Sequence, residues 1–479
     1  VSLFVPRDYQ CGIRDFILSR RRVNVFAGMG VGKTGSTLAA LDILFLFGEA
    51  HRVLVLAPRR VAQSTWPDEV RKWDNLRHLK IAAAIGTEAQ RRAAVFSGAQ
   101  IVTINYENVP WLIETMGDRW DFDVVVADES TRLKGLRVSE QTSKNGKTFL
   151  RGQGGVRARA LAKIAHKGVR RWINLTGSPA PNGLQDLWGQ CWFIDAGSRL
   201  GRSFTAFETR WFQNVFRGER LALEPLPFAQ AQIEAQLKDI SITIEAKDYF
   251  DLPPLIESEV TVQLDDRLKA AYRKLEKEFF VEFGDGTAIE AFNSAAKLQK
   301  CLQFASGAVY DENGAWMAVH DLKLDALESI IEDANGMPVL VAYQFRCEVE
   351  RILSRFRGAR LLDANPKTIT EWNEGRIPLM LAHPKSAGHG LNLQYGSNIL
   401  CDFSSGFNLE EDEQIIERIG PTRQAQAGLD RAVYRRRIVC ADTLEALAVL
   451  PALRRKASVQ DALRAAMKLR RGEELRQAA

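Results

Sequence analysis

Cysteine is scarce and scattered. Six residues (Cys11, Cys191, Cys301, Cys347, Cys401 and Cys440) are spread over 479 positions, and no two form a Cys-x-x-Cys pair. That argues against a disulfide framework and a cysteine-based zinc site, and it favours reduced cytosolic thiols. Histidine is equally sparse: residues 51, 78, 166, 320, 383 and 389 offer no metal-ligand pair, so a metal-dependent nuclease or deaminase centre has no support. No apolar run approaches the roughly 18 residues needed to cross a bilayer. The opening Val1-Ser2-Leu3-Phe4 lacks a signal-peptide layout and an initiator Met, which suggests processing or trimming. A secreted, membrane-spanning or collagen-like chain is therefore not expected. Nor does one sign of charge dominate. The formal net charge of +6, with 26% charged and 46% hydrophobic residues, permits an anionic partner without demanding one and argues against global disorder. At about 150 residues per domain the length allows three units or two large ones.

What the chain does have is a series of short β-branched runs, each closed by a loop rich in Gly, Pro, Thr or Asp. These are Val23-Asn24-Val25-Phe26, Val53-Leu54-Val55-Leu56, Ile101-Val102-Thr103-Ile104, Val124-Val125-Val126 and Trp172-Ile173-Asn174-Leu175. Stretches of helical periodicity, such as Thr37 to Phe47 and Ala158 to Ala165, separate most of them. Near-continuous apolar strands alternating with helices predict an α/β fold with a parallel, doubly wound sheet. Ligands of such sheets bind outside the carboxyl ends of the strands, where these polar loops fall. The rhythm breaks after about Asn182. Residues 184–250 are aromatic-rich and read as helical, with Phe204, Phe207, Trp211, Phe212 and Phe216 spaced as a core stripe rather than a base-stacking platform. Asp251-Leu252-Pro253-Pro254 reads as a linker, and a charged helix follows from Asp265 to about Phe283. A second alternating series includes Val339-Leu340-Val341, Leu361-Leu362, Leu379-Met380-Leu381, Ile399-Leu400-Cys401 and Val433 to Val439, before a helical tail from Thr443. Ser139 to Arg157, Gly- and Lys/Arg-rich with few apolar anchors, reads as a mobile loop.

Ala27-Gly28-Met29-Gly30-Val31-Gly32-Lys33-Thr34 follows the first strand and opens a helix. Glycines let backbone N–H groups approach phosphate oxygens, and the helix N-terminus adds partial positive charge. Lys33 can neutralise β/γ-phosphate charge, and the Thr34 hydroxyl can ligate Mg²⁺. Downstream, Val124-Val125-Val126-Ala127-Asp128-Glu129 is an apolar strand ending in two carboxylates. An acid there can hold Mg²⁺, and a neighbouring Glu can take a proton from an attacking water. An Asp-Glu pair alone is more often surface decoration. A phosphate loop upstream on the same kind of sheet makes it a catalytic candidate.

Ala-x-x-Gly-x-Gly-Lys-Thr together with Asp128-Glu129 resembles motifs I and II of superfamily 2 helicases, and the other motifs follow in order. Arg7-Asp8-Tyr9-Gln10 resembles the adenine-reading Q motif, Ala57-Pro58-Arg59 motif Ia, Thr103-Ile104-Asn105-Tyr106 motif Ib and Leu175-Thr176-Gly177-Ser178-Pro179 motif III. Tyr343-Gln344 falls at motif IV, Ser386-Ala387-Gly388-His389-Gly390-Leu391-Asn392-Leu393 at motif V and Gln414 through Gln424 at motif VI. Gly-Leu-Asn-Leu in motif V, Phe407-Asn408, Thr443-Leu444-Glu445 and the Asp251-Leu252-Pro253-Pro254 crossing resemble the Swi/Snf-like DNA translocase branch, and the compact layout its bacteriophage and prophage members. Two departures stand out. Thr131 stands where the family often has His, and Pro421 stands where the second motif VI arginine belongs, with Arg423 two positions later.

The resemblance implies two RecA-like parallel-sheet lobes in tandem with a helical insertion between them. The expected parts are lobe 1 over 1–183, its helical extension and linker over 184–255, a helical start of lobe 2 over 256–335, lobe 2 over 336–442 and a helical tail over 443–479. It implies ATP and Mg²⁺ as cofactors, catalysis by Lys33, Asp128, Glu129, Arg418 and Arg423, and metal binding by Thr34 and Asp128. Nucleotide contacts would come from Arg7, Gln10, Gly28, Gly30, Gly32, Lys33, Thr34 and Gly390. A translocase grips phosphates, since base-reading contacts would stall it; the candidates by motif are Arg59, Arg60, Asn105, Tyr106, Gln344, Ser386 and His389. The basic 134–159 loop, with Lys144, Lys147, Arg151 and Arg157, is a further candidate clamp. The function implied is a DNA-dependent ATPase moving on DNA, duplex favoured and single strand possible, in the bacterial host cytoplasm if phage-encoded, alongside phage or host replication or recombination proteins. Two alternatives stay open: a strand-separating helicase, for which no wedge is recognisable, and a nucleotide-gated clamp with little turnover, which the displaced motif VI arginine would suit.

Overall fold

The computed structural model describes residues 3–455 apart from 29, 143–147, 182, 218–219, 286–287, 312, 364 and 388–390. It divides into two units, Val1–Tyr249 and Phe250–Ala479. In the first, the apolar runs become β1 (Arg22–Ala27), β2 (Val53–Ala57), β3 (Ile81–Ala84), β4 (Ile101–Asn105) and β5 (Val124–Asp128). Then come β6 (Leu136–Thr142), β7 (Thr148–Gly154), β8 (Arg171–Thr176), β9 (Phe212–Arg217), β10 (Arg220–Pro225) and β11 (Ser241–Ile244). Seven of these form one sheet in the order β11-β1-β8-β5-β2-β4-β3, parallel throughout. β2, β4 and β5 are buried at every position, as strands covered on both faces must be. The order brings β1, β8 and β5 side by side, so the loops after them share one end of the sheet.

Two expectations are corrected here. The described residues on either side of 143–147 are not loop: β6 and β7 pair antiparallel from Leu136↔Gly154 to Thr142↔Thr148. Their glycines hid the pairing. Gly154 adopts φ 89°, and a Cβ there would collide with the Gly135 carbonyl. Lys144 and Lys147 lie outside the described residues. The 184–250 stretch is helical only in part. Helices Gln185–Asp195, Phe204–Trp211 and Ala229–Leu237 are joined by the β9–β10 hairpin, and β11 returns to the sheet edge. Phe212-Gln213-Asn214-Val215-Phe216-Arg217 carries no clean period-two alternation, so β9 left no local strand signal. Of the aromatic stripe, Phe207, Trp211 and Phe212 are buried with Trp172, Trp188 and Phe193 and Phe204 packs against them, while the side chain of Phe216 lies outside the described residues.

The second unit adds β12 (Leu255–Val262), β13 (Ala308–Tyr310), β14 (Trp316–Ala318), β15 (Val339–Ala342), β16 (Ala359–Leu361), β17 (Leu379–Ala382), β18 (Ile399–Asp402) and β19 (Val433–Cys440). Six form a second parallel sheet in the order β12-β19-β18-β15-β17-β16. The chain is thus two RecA-like α/β units in tandem. Helices Asp266–Asp285 and Ala288–Ser306, then Leu322–Asp333, precede the first central strand. β12 was not foreseen. Its Leu-Ile-Glu-Ser-Glu-Val-Thr-Val pattern is mostly exposed, and it is fixed at the sheet edge by β19 and by Glu257, which pairs with Arg435 and Arg437 at 3.8 and 3.5 Å. Among the described residues no helix is long and apolar enough to cross a membrane.

Candidate functional site

The loop leaving β1 turns on Gly30 and Gly32, at φ 84° and 81°, where a side chain would be strained. The helix Lys33–Leu46 starts immediately afterwards. Lys33 Nζ folds back onto the loop, donating to the carbonyls of Ala27 (2.6 Å) and Gly28 (2.9 Å). Thr34, half-buried, is the second residue of that helix. Gln10 braces the loop from the helix Asp8–Ser19. Its Nε2 donates to Val31 O (3.2 Å), and its Oε1 accepts from the backbone N–H of Arg7 (2.9 Å), whose side chain is exposed. Gln10 is thus engaged by the protein on both ends of its amide.

Asp128 ends β5. The Trp66 indole donates to its Oδ2 at 2.9 Å, from a helix (Trp66–Lys72) that follows a π-helical turn at Val61–Thr65. Burial pushes the Asp128 carboxyl above its usual range, and the Trp66 hydrogen bond and the Lys33 charge oppose that without cancelling it. Glu129 is left-handed at φ 57°, ψ 57°. A glutamate in that region carries about 1–2 kcal/mol of strain, which the surroundings must hold. The Tyr106 hydroxyl does so, donating to Asp128 O at 2.8 Å and lying 3.4 Å from Glu129 O.

That arrangement corrects two nucleic-acid candidates. Tyr106 is fully buried and its hydroxyl serves the turn beneath the acids, so it presents no surface to DNA. Asn105 is also buried, donating to Glu107 (2.8 Å) and accepting from Asn108 (2.6 Å). Arg59 is exposed and Arg60 half-buried at the end of β2.

In the second unit, Pro421 begins a short helix, Pro421–Gln426, in the first-turn position that tolerates a missing N–H. This explains the departure: the proline restarts the chain as a helix and places Arg423 in its first turn. Arg423, half-buried, donates from Nη1 to Asn392 Oδ1 of motif V at 3.0 Å. Arg418 is only 3% exposed, with Nε on Gln414 O at 3.1 Å. Gln424 ties motif VI to the segment just after motif V, donating to Ser397 O (3.0 Å) and, within motif VI, to Ile419 O (2.9 Å). The preceding helix, Leu409–Ile416, is anchored by Asp412, which accepts from Arg435 (2.6 Å) and Arg437 (2.9 Å). Gln344 lines a cavity of about 260 Å³ with Ser404, Asn408 and Asp412. Its backbone N–H is held by Glu348 Oε2 (2.9 Å), a buried carboxylate that also takes the Ser404 hydroxyl (2.8 Å). Ser386 lies in the turn of helix Pro384–Ala387, while His389 and Gly390 fall outside the described residues.

A sequence profile of the SNF2-related domain matches residues 25–305, from β1 through the helix Ala288–Ser306. The chain belongs to the SNF2-related family. Protein p41 of Acyrthosiphon pisum secondary endosymbiont phage 1 is 50% identical over 98% of this chain and 100% of that protein. The probable ATP-dependent DNA helicase CHR23 of Arabidopsis thaliana is 24% identical over 81% of this chain but only 37% of its own length. Among solved structures, the Sulfolobus solfataricus SWI2/SNF2 ATPase core in complex with dsDNA has 19% identity over 95% of this chain and 92% of that one, at a TM-score of 0.41.

The oxygen donors of this SNF2-related chain can be tested against Mg²⁺. Among the described residues no three His, Cys, Asp or Glu groups gather as a metal cluster. A site with few protein ligands suits Mg²⁺, which keeps waters and substrate oxygens around it. The buried Asp128 carboxyl, held with its charge poorly compensated, and the Thr34 hydroxyl are hard donors of the right kind. Sequence reasoning missed Trp66, Glu348 and the bracing role of Tyr106. Only Glu348 left a signal, as a glutamate three residues into a helix start.

Proposed function

We propose that this SNF2-related chain is a DNA-dependent ATPase that couples Mg·ATP hydrolysis to translocation along DNA, duplex in preference to single strand. One observation carries the reading: Lys33 with its glycine loop, the acids Asp128 and Glu129, and the Thr176–Pro179 loop follow three adjacent parallel strands of a family scaffold. Loop amides and Lys33 hold the β- and γ-phosphates, with the loop shape fixed by Gln10. Glu129 accepts a proton from the water attacking the γ-phosphorus, the bond from that phosphorus to the bridging oxygen breaks, and ADP leaves. Thr34 and Asp128 would hold Mg²⁺, whose charge would neutralise the phosphates when bound. Arg423 is the arginine assigned to the developing charge, because it is half-exposed at a helix start whereas Arg418 is buried. Arg59, Arg60, Gln344, Ser386 and His389 are the DNA-backbone contacts in this reading, and CHR23, described as a DNA helicase, supports DNA as the track.

The test is steady-state phosphate release with no nucleic acid, duplex DNA, single-stranded DNA or RNA, using Lys33→Ala as the blank. Strong stimulation by duplex is expected. Stimulation by single strands or RNA alone would make the chain a strand-separating helicase. ATP-dependent DNA retention without turnover would make it a clamp.

A further inference from the structure

Thr131, where the resemblance leads to a histidine, is buried in the turn after Glu129. A different side chain joins that turn to the loop after β8. Gln190, fully buried on the helix Gln185–Asp195, accepts at Oε1 from the Ser130 hydroxyl (2.8 Å) and donates from Nε2 to Pro179 O (2.7 Å) and Asp186 O (2.9 Å). One amide therefore spans the acid turn and the motif III loop. The helix sits hard against that turn: a Cβ on Gly189 would fall 2.6 Å from Lys134 O and 2.8 Å from Leu133 O. Asp186, on the same helix, forms an ion pair with Lys134 at 3.2 Å. Behind Gln190 the polar contacts continue. Its backbone carbonyl accepts from Asn174 Nδ2 on β8 (3.0 Å), which also donates to Asn24 Oδ1 (2.8 Å) on the strand entering the phosphate loop. A satisfied buried chain of this kind fixes one geometry, because breaking any link strands a polar group.

We infer that Gln190 is the positioning residue that couples motif II to motif III in this chain, carrying through Ser130 and Pro179 the link that position 131 does not make. A shift of the Thr176–Pro179 loop on nucleic-acid engagement then reaches Glu129 through a single rigid amide. The inference rests on the ATPase reading above. In the full chain, Gln190→Leu and Ser130→Ala each lower kcat for duplex-stimulated phosphate release by roughly 3- to 30-fold, the range for residues in a coupling network, with KM for ATP unchanged. The double variant loses no more than the worse single one. Losses that multiply, or a rise in KM with kcat intact, would overturn the coupling role. Should Gln190→Leu not fold, Ser130→Ala, which removes one hydroxyl, decides alone: an unchanged kcat sinks the inference. Wild-type protein without stimulated turnover fails the ATPase reading itself, and the inference falls with it.

Discussion

Two aspartates, the buried Asp128 at the end of β5 and the half-buried Asp412 in the helix Leu409–Ile416, have opposite surroundings. In the first unit Asp128 receives the Trp66 indole and a backbone hydrogen bond from Glu129, and burial leaves its carboxyl above the usual range. In the second, Asp412 receives four hydrogen bonds from Arg435 and Arg437. Burial pushes Asp412 up as well, but the Arg437 hydrogen bond and the charges of both arginines outweigh it and hold the carboxyl low. A compensated acid anchors a helix. An under-compensated one costs stability, and in the function proposed above it is the acid set aside to hold the metal.

The largest test of that contrast concerns the arginines. Arg423→Ala should reduce DNA-stimulated turnover by about 10³–10⁵-fold, the reach of an arginine finger, without moving the unfolding midpoint. Equal losses from Arg423→Ala and Arg435→Met in turnover alone would erase the division between catalytic and anchoring arginines. Next comes Glu129→Gln, expected to lower turnover about 10²–10⁴-fold, as loss of a general base does, with ATP binding retained in a filter or fluorescence assay. Arg435→Met leaves Asp402 and Asp412 short of a partner and should cost about 3–5 kcal/mol in urea unfolding of the second unit.

The smallest effect on stability is the most diagnostic. Asp128→Asn should abolish turnover yet leave stability within about 1 kcal/mol of wild type, on the stabilising side. The pH dependence has opposite signs at the two sites. Asp128, raised in the folded state, gives its stabilising contribution below the ordinary value of 3.8 and loses it as pH rises through the raised value. Asp412, lowered, stabilises above 3.8 and loses that as pH falls through its lower value. On acidification the gap between wild type and Asp128→Asn should close before the gap between wild type and Asp412→Asn does, as read by unfolding midpoints across a pH series.

The sheet strands were legible because strands covered on both faces must be continuously apolar, and the phosphate loop because glycine, lysine and threonine are needed in fixed order. The site's supports were not. Trp66 reaches Asp128 across 62 positions of sequence, and Tyr106 reaches the turn after β5 from the short turn that follows β4. Such contacts come from tertiary folding and leave no local pattern. Tyr106 and Asn105 are nucleic-acid candidates by motif yet have buried side chains, because a motif position does not reveal which face a side chain takes. The β6–β7 hairpin was hidden by polar, glycine-rich composition, and β12 by the glutamates that suit an edge. Pro421 looked like a lost arginine, whereas it opens a new helix turn.

The pairing of β12 with β19 has a consequence for synthesis. Leu255 lies opposite Val433, so the strand that starts the second unit is made long before the one that completes it. At about 5–20 residues per second on the ribosome, β12 waits roughly 10–35 s for its neighbour. During that interval its alternating Glu257 and Glu259 act as gatekeepers, keeping an unpaired edge from templating onto another nascent chain.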